Sequence, residues 1–225
     1  MNNNMYTAGA KTGIETTFFG KVMTFFALAM LISAGGAYVG GHYLLNYYLS
    51  APGLIWIVYI AELVLIFTSR MWSRRAPLNR VLFAAFAFLS GLTVGPLIFS
   101  LTASAAGAAI LTKALGATGA MFAATAIIGY TTQRDLSGMR GFLLTSLIGL
   151  IIVGVIGIFI PWSNTMELVY SGFGVLVFSA FTAYDFQRLK HYPQDAYIDA
   201  ALNLYLDIFN LFLMLLRLLT GLSRN

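Results

Sequence analysis

Residues 170–190, YSGFGVLVFSAFTAYDFQRLK, and residues 200–219, AALNLYLDIFNLFLMLLRLL, each carry one aspartate inside otherwise apolar sequence: Asp185 in the first, Asp207 in the second. An apolar run of about 20 residues is what a helix needs to cross about 30 Å of hydrocarbon. A charged carboxylate near the middle of such a helix costs on the order of 2.5–3.5 kcal/mol, so it is kept for a partner or a task. Two helices adjacent in sequence each keep one.

Working outward, similar apolar runs recur along the whole chain. Of its 225 residues 59% are hydrophobic and only 9% charged, against about 25% charged in ordinary globular domains. Mean hydropathy is +0.82. The runs are too continuous for barrel strands, which alternate. The reading is an all-α polytopic membrane protein, a bundle of seven transmembrane helices. Residues 1–20 are expected to be a flexible tail, with 21–225 as a single transmembrane domain. The net charge of +5 does not point to nucleic acid, because the basic residues sit in short connections between spans and act as topology signals. With no cysteine and two histidines, His42 and His191, a thiolate zinc site is excluded.

Span one covers about 22–40 and is too long for the apolar core of a cleavable signal peptide. Span two covers about 53–69 and holds Glu62. The connection SRMWSRRAPLNR follows at 69–80 with Arg70, Arg74, Arg75 and Arg80. Span three, about 81–101, contains GLTVGP, in which Gly91 and Gly95 stand at a helix-packing spacing before Pro96. Spans four, five, six and seven are expected near 105–130, 142–160, 166–186 and 197–219. Basic residues alternate between connections, which places the N-terminus in the cytoplasm. Seven full spans then put the C-terminus outside, whereas Arg217 and Arg224 argue for the inside, and the far end of the last span stays open.

On span seven, Asn203, Asp207 and Asn210 fall at i, i+4 and i+7 and share one helical face. On span six, Ser179, Thr182 and Asp185 recur every third residue and lead to Arg188. Helices joined by a short loop pack antiparallel, so the two aspartates can approach. If they meet in a low-dielectric site, they share one proton. Protonated, they hold the helices together; without the proton they repel, and the gap attracts a cation. Calcium takes six to eight oxygens. Asp185, Asp207, Glu62, Asn203 and Asn210 supply part of that shell, which suits weak, transient coordination. The structural alternative pairs Asp185 with Arg188 or an arginine of the second connection.

Enzyme chemistry is not expected. There is no GxSxG, HExxH or glycine-rich phosphate loop, and TAYD at Asp185 lacks the GxGD partner of an intramembrane aspartyl protease around Asp207. No cofactor is expected.

GYTTQRDLSGM (129–139), YDFQRL (184–189) and ALNLYLDIFNLFLMLLRLL (201–219) resemble the transmembrane Bax inhibitor motif family in its bacterial inner-membrane branch, a likeness that runs from about Lys21 to the end. The resemblance implies a seven-helix fold with a central seventh helix and a pH-sensitive calcium leak channel in the inner membrane. In that family an aspartate pair on helices six and seven is the sensor; Asp185 and Asp207 match it by their motifs, and Glu62 matches an acid on helix two. An arginine near the end of helix two is the implied partner of the pair, and Arg70, Arg74 and Arg75 all compete for that role. Some bacterial relatives instead look like modulators that bind a membrane-bound protease, a role that needs no ion path.

Overall fold

The computed structural model describes residues 4–224, with side chains from Thr17 onward. The helices are α1 (Asn4–His42), α2 (Leu45–Ser50), α3 (Gly53–Phe67), α4 (Ser69–Trp72), α5 (Leu78–Thr102), α6 (Ala105–Thr131), α7 (Arg140–Phe159), α8 (Asn164–Arg188) and α9 (Tyr197–Leu222). Among the described residues there is no β-strand. The protein is an all-α polytopic membrane protein. Of the segment expected as a tail, residues 1–3 lie outside the described residues, and from Asn4 the chain is helical within α1.

Among the described residues, six helical stretches are long and apolar enough to cross a membrane: Thr17–His42, Leu78–Thr102, Ala105–Thr131, Ser137–Phe159, Asn164–His191 and Gln194–Leu222. The expected second span differs. Its helix, α3, has 15 residues, about 22 Å at 1.5 Å per residue, against about 30 Å of hydrocarbon. At its end the Thr68 hydroxyl donates to the Val64 carbonyl at 2.6 Å and the Trp72 indole N–H donates to the Leu65 carbonyl at 3.1 Å. The indole thereby satisfies a carbonyl of the last turn of α3 from beyond the helix end, and the chain restarts as α4.

The chain divides into two compact units, residues 1–100 with 190–205, and residues 101–189 with 206–225. The long helix α9 contributes its start to the first and the rest to the second. In the first unit α1 and α5 meet on glycine. A Cβ added to Gly91 would stand 2.8 Å from the Ala37 nitrogen, and one on Gly95 would stand 2.7 Å from the Gly41 nitrogen. Only hydrogen fits between these backbones, so GLTVGP serves close helix packing. The start of α9 is pinned by Tyr205, fully buried, which meets Phe83 and Phe86 edge-on at 6.0 and 5.9 Å. Its hydroxyl donates to Ser33 Oγ at 3.1 Å.

In the second unit α6 and α7 both pack on α8, with a Cβ on Gly129 meeting the Ala183 backbone. The far part of α9 runs antiparallel to α8. Met214 covers Gly174, Leu168 approaches Gly221, and Asn164 donates to the Gly221 carbonyl at 3.3 Å. At that end Glu167 binds Arg224 at 3.3 Å and Arg217 at 3.8 Å. The Arg217 guanidinium also lies over the rings of Trp162 and Tyr170 at 4.8 and 5.1 Å. The tail arginines thus serve as partners of an acid at the start of α8. The last span is a continuous helix whose end stands beside the α7–α8 connection.

Candidate functional site

The site is built from the C-terminal turn of α8 and the middle of α9, within the second unit. Tyr184, Asp185 and Phe186 are all buried on α8, and Phe186 is held by Phe122 of α6, ring to ring at 5.6 Å. That packing carries Asp185 inward to 6% exposure, and Asp207 on α9 is 5% exposed. The two lie close enough for the charge of Asp185 to be felt at Asp207. Asp185 Oδ1 accepts from Arg188 Nη1 at 3.1 Å, while the guanidinium lies over the Tyr184 ring at 5.3 Å. Asp207 Oδ2 is buried and has no hydrogen-bond partner among the described residues.

This arrangement sets one cation against two acids. Arg188 balances one negative charge. The other carboxyl group is neutral in its buried setting only with a proton or a cation, because uncompensated buried charge costs several kcal/mol. Of the alternatives open at Asp185, the Arg188 pair is the one formed, at the i, i+3 spacing of helical ion pairs. Arg74, one of three arginines expected to compete for the aspartates, instead binds Asp199 at 3.2 Å in the first unit. Neither Arg70 nor Arg75 has a carboxylate within ion-pair distance among the described residues.

The polar stripe on α9 does not gather around Asp207. Asn203 donates to the Tyr192 hydroxyl at 2.8 Å in the first unit, and Asn210 donates to the Leu206 carbonyl at 2.8 Å, one turn back on its own helix. Thr182 likewise donates to Phe178 O at 2.9 Å. These residue types bond readily to nearby backbone, and here they do. Glu62 sits in the first unit, half-buried, and accepts from the Thr93 hydroxyl at 3.1 Å. Among the described residues, no three histidine or acidic side chains form a group able to hold a metal ion.

Two residues escaped the sequence reading. Thr93 lies inside GLTVGP, where the glycines took the attention. Gln187 follows Asp185 by two and reaches the α6–α7 connection. Its Oε1 accepts from the Leu136 N–H at 2.8 Å, and its Nε2 donates to the Arg134 carbonyl at 2.6 Å. The side-chain amide thus clamps the backbone of QRDLSG, which Asp135 braces from within by accepting from the Ser137 N–H and hydroxyl, both at 2.8 Å. The motifs YDFQRL and GYTTQRDLSGM are bound to each other. Replacing Gln187 by alanine is expected to speed hydrogen exchange at the Leu136 amide about tenfold, the worth of one such bond. Unchanged exchange would show that the clamp does not hold the loop.

The family described as "Inhibitor of apoptosis-promoting Bax1" has a model that matches residues 15–225. The chain is 33% identical over 202 residues to the uncharacterized protein Cj0236c of Campylobacter jejuni, covering 90% of this chain and 87% of that one. It is 32% identical over 207 residues to an uncharacterized protein of Helicobacter pylori, covering 92% and 85%. It is also 33% identical over 167 residues to the inner membrane protein YbhL of Escherichia coli, covering 69% of each. With the family model matched from residue 15 to the last, and relatives aligned over most of their length, this chain belongs to the Bax inhibitor family.

Proposed function

We propose that this multi-pass protein of the bacterial inner membrane is a pH-sensitive cation leak, passing calcium, and that the proton shared by Asp185 and Asp207 is its latch. The observation that carries the reading is the charge balance of the pair: two buried acids, one arginine, and a carboxyl oxygen of Asp207 with no hydrogen-bond partner among the described residues. With one proton the pair is neutralised by Arg188 and bridges α8 to α9. Without it, a second negative charge in low dielectric repels the first and favours either separation of the helices or entry of a cation. A cation bound by the pair has at most four carboxylate oxygens, fewer than the six to eight that calcium takes. Transient binding follows, which favours passage over storage.

Glu62 lies in the interior of α3, and in this reading it is a second station for the ion. Its hydrogen bond from Thr93 orients the carboxylate without neutralising it. Glu62→Gln keeps that bond and removes the charge, so calcium flux into dye-loaded proteoliposomes should fall severalfold while the unfolding temperature stays near that of the native protein. Normal flux in this variant would remove Glu62 from the path.

A further inference from the structure

The ion-path reading leaves unused the strongest concentration of charge in the chain. From 22 to 69 and from 81 to 100 there is no lysine or arginine, yet one end of the first unit carries Lys21, Arg70, Arg74, Arg75 and Arg80, all exposed. Contacts with the start of α9 bring three of them together. The Lys21 ammonium stands 5.9 Å over the Tyr197 ring, Arg80 Nε donates to the Tyr197 hydroxyl at 3.2 Å, and Arg74 binds Asp199. Phe25 completes the floor, 5.4 Å from the Tyr197 ring and 5.7 Å under the Arg80 guanidinium.

Apart from Arg74, paired with Asp199, this cluster differs from the arginines at the ends of α8 and α9 in acid pairing. Arg188, Arg217 and Arg224 each have a carboxylate within 4 Å, whereas among the described residues Lys21, Arg70, Arg75 and Arg80 have none. Two of those four are instead held over rings, a placement that orders the cation and leaves most of its N–H groups free to donate. The cluster borders the apolar helices α1 and α5, both long and apolar enough to cross a membrane. We infer that this end of the first unit is a docking surface for the phosphate headgroups of anionic phospholipid. Arginine recognises phosphate bidentately, and basic residues beside a membrane are drawn to an anionic leaflet.

The test is thermal unfolding of the full-length protein in neutral-detergent micelles, with phosphatidylglycerol or phosphatidylcholine added at equal mole fraction. Phosphatidylglycerol is expected to raise the midpoint by about 5 °C more than phosphatidylcholine, and Arg75→Gln/Arg80→Gln should lose at least half of that difference. Inorganic phosphate alone should leave the midpoint unchanged. Equal shifts from the two lipids, or a double variant that keeps the full difference, would overturn the inference. A full shift with inorganic phosphate would overturn the lipid as the ligand, in favour of a soluble anion. Should the double variant fail to fold, Arg75→Gln decides the matter by the same lipid difference, since the Arg75 side chain has no hydrogen bond, ion pair or ring contact among the described residues.

Discussion

Gly91→Leu is expected to yield no monodisperse protein, and Gly91→Ala to lower the unfolding temperature by on the order of 10 °C, about 3 kcal/mol. The reason is the distance between α1 and α5. A Cβ on Gly91 runs into the Ser33 carbonyl and lies 2.8 Å from the Ala37 nitrogen and 2.9 Å from the Gly36 Cα. All three are backbone atoms of a helix, which cannot rotate away as a side chain does, so the whole crossing must open. Opening it also loosens Tyr205, whose hydroxyl is bonded to Ser33 on the same α1 face. Gly116→Ala is the matched control, because nothing lies within 4 Å of a Cβ there; it should be neutral or slightly stabilising, since alanine is the better helix former. Equal behaviour of the two alanine variants would refute the glycine-on-glycine crossing.

Asp207→Asn is expected to abolish the pH dependence of calcium flux and to leave flux at the low level of the native protein at acid pH. The amide has the shape of the carboxyl group but donates permanently, so it reproduces the one-proton state of the pair at every pH. Asp185 keeps Arg188 as its counter-ion, and the second negative charge that opens the latch never forms. Asp185→Asn should flatten the profile as well, though it also leaves Arg188 without its carboxylate, so a moderate loss of stability accompanies it. A native pH profile in both variants would eliminate the aspartate pair as the latch. Change in one only would assign the titrating group to the residue that responds.

Fold class and the principal acids were legible in the sequence because both are one-dimensional signals. Runs of apolar residues show as spans, and an aspartate inside such a run shows as an exception. The end of α3 was not legible. GLIWIVYIAELVLIFTS reads as a continuous span, and the break after Phe67 shows only in the fold, where the Trp72 indole turns back onto the Leu65 carbonyl. The ion pairs were half legible. Arg188 stands at the right spacing from Asp185, but loop arginines looked equally suited until Arg74 was seen with Asp199. Asn203 and Asn210 share a face with Asp207 by arithmetic alone. Which of them turns to a neighbour and which to its own backbone depends on what packs opposite, and Tyr192 decides it for Asn203. The pairing of Arg217 and Arg224 was not legible, because Glu167, some fifty residues earlier, becomes their neighbour only when α8 and α9 lie antiparallel.

The most direct test of the proposed function is calcium entry into dye-loaded proteoliposomes of the purified native protein at pH 6, 7 and 8, beside empty liposomes. A proton-held latch predicts protein-dependent flux that is low at pH 6 and rises toward pH 8. No flux above empty liposomes at any pH would contradict it, reduce Asp185 and Asp207 to structural groups, and favour a binding role such as modulation of a membrane-bound protease.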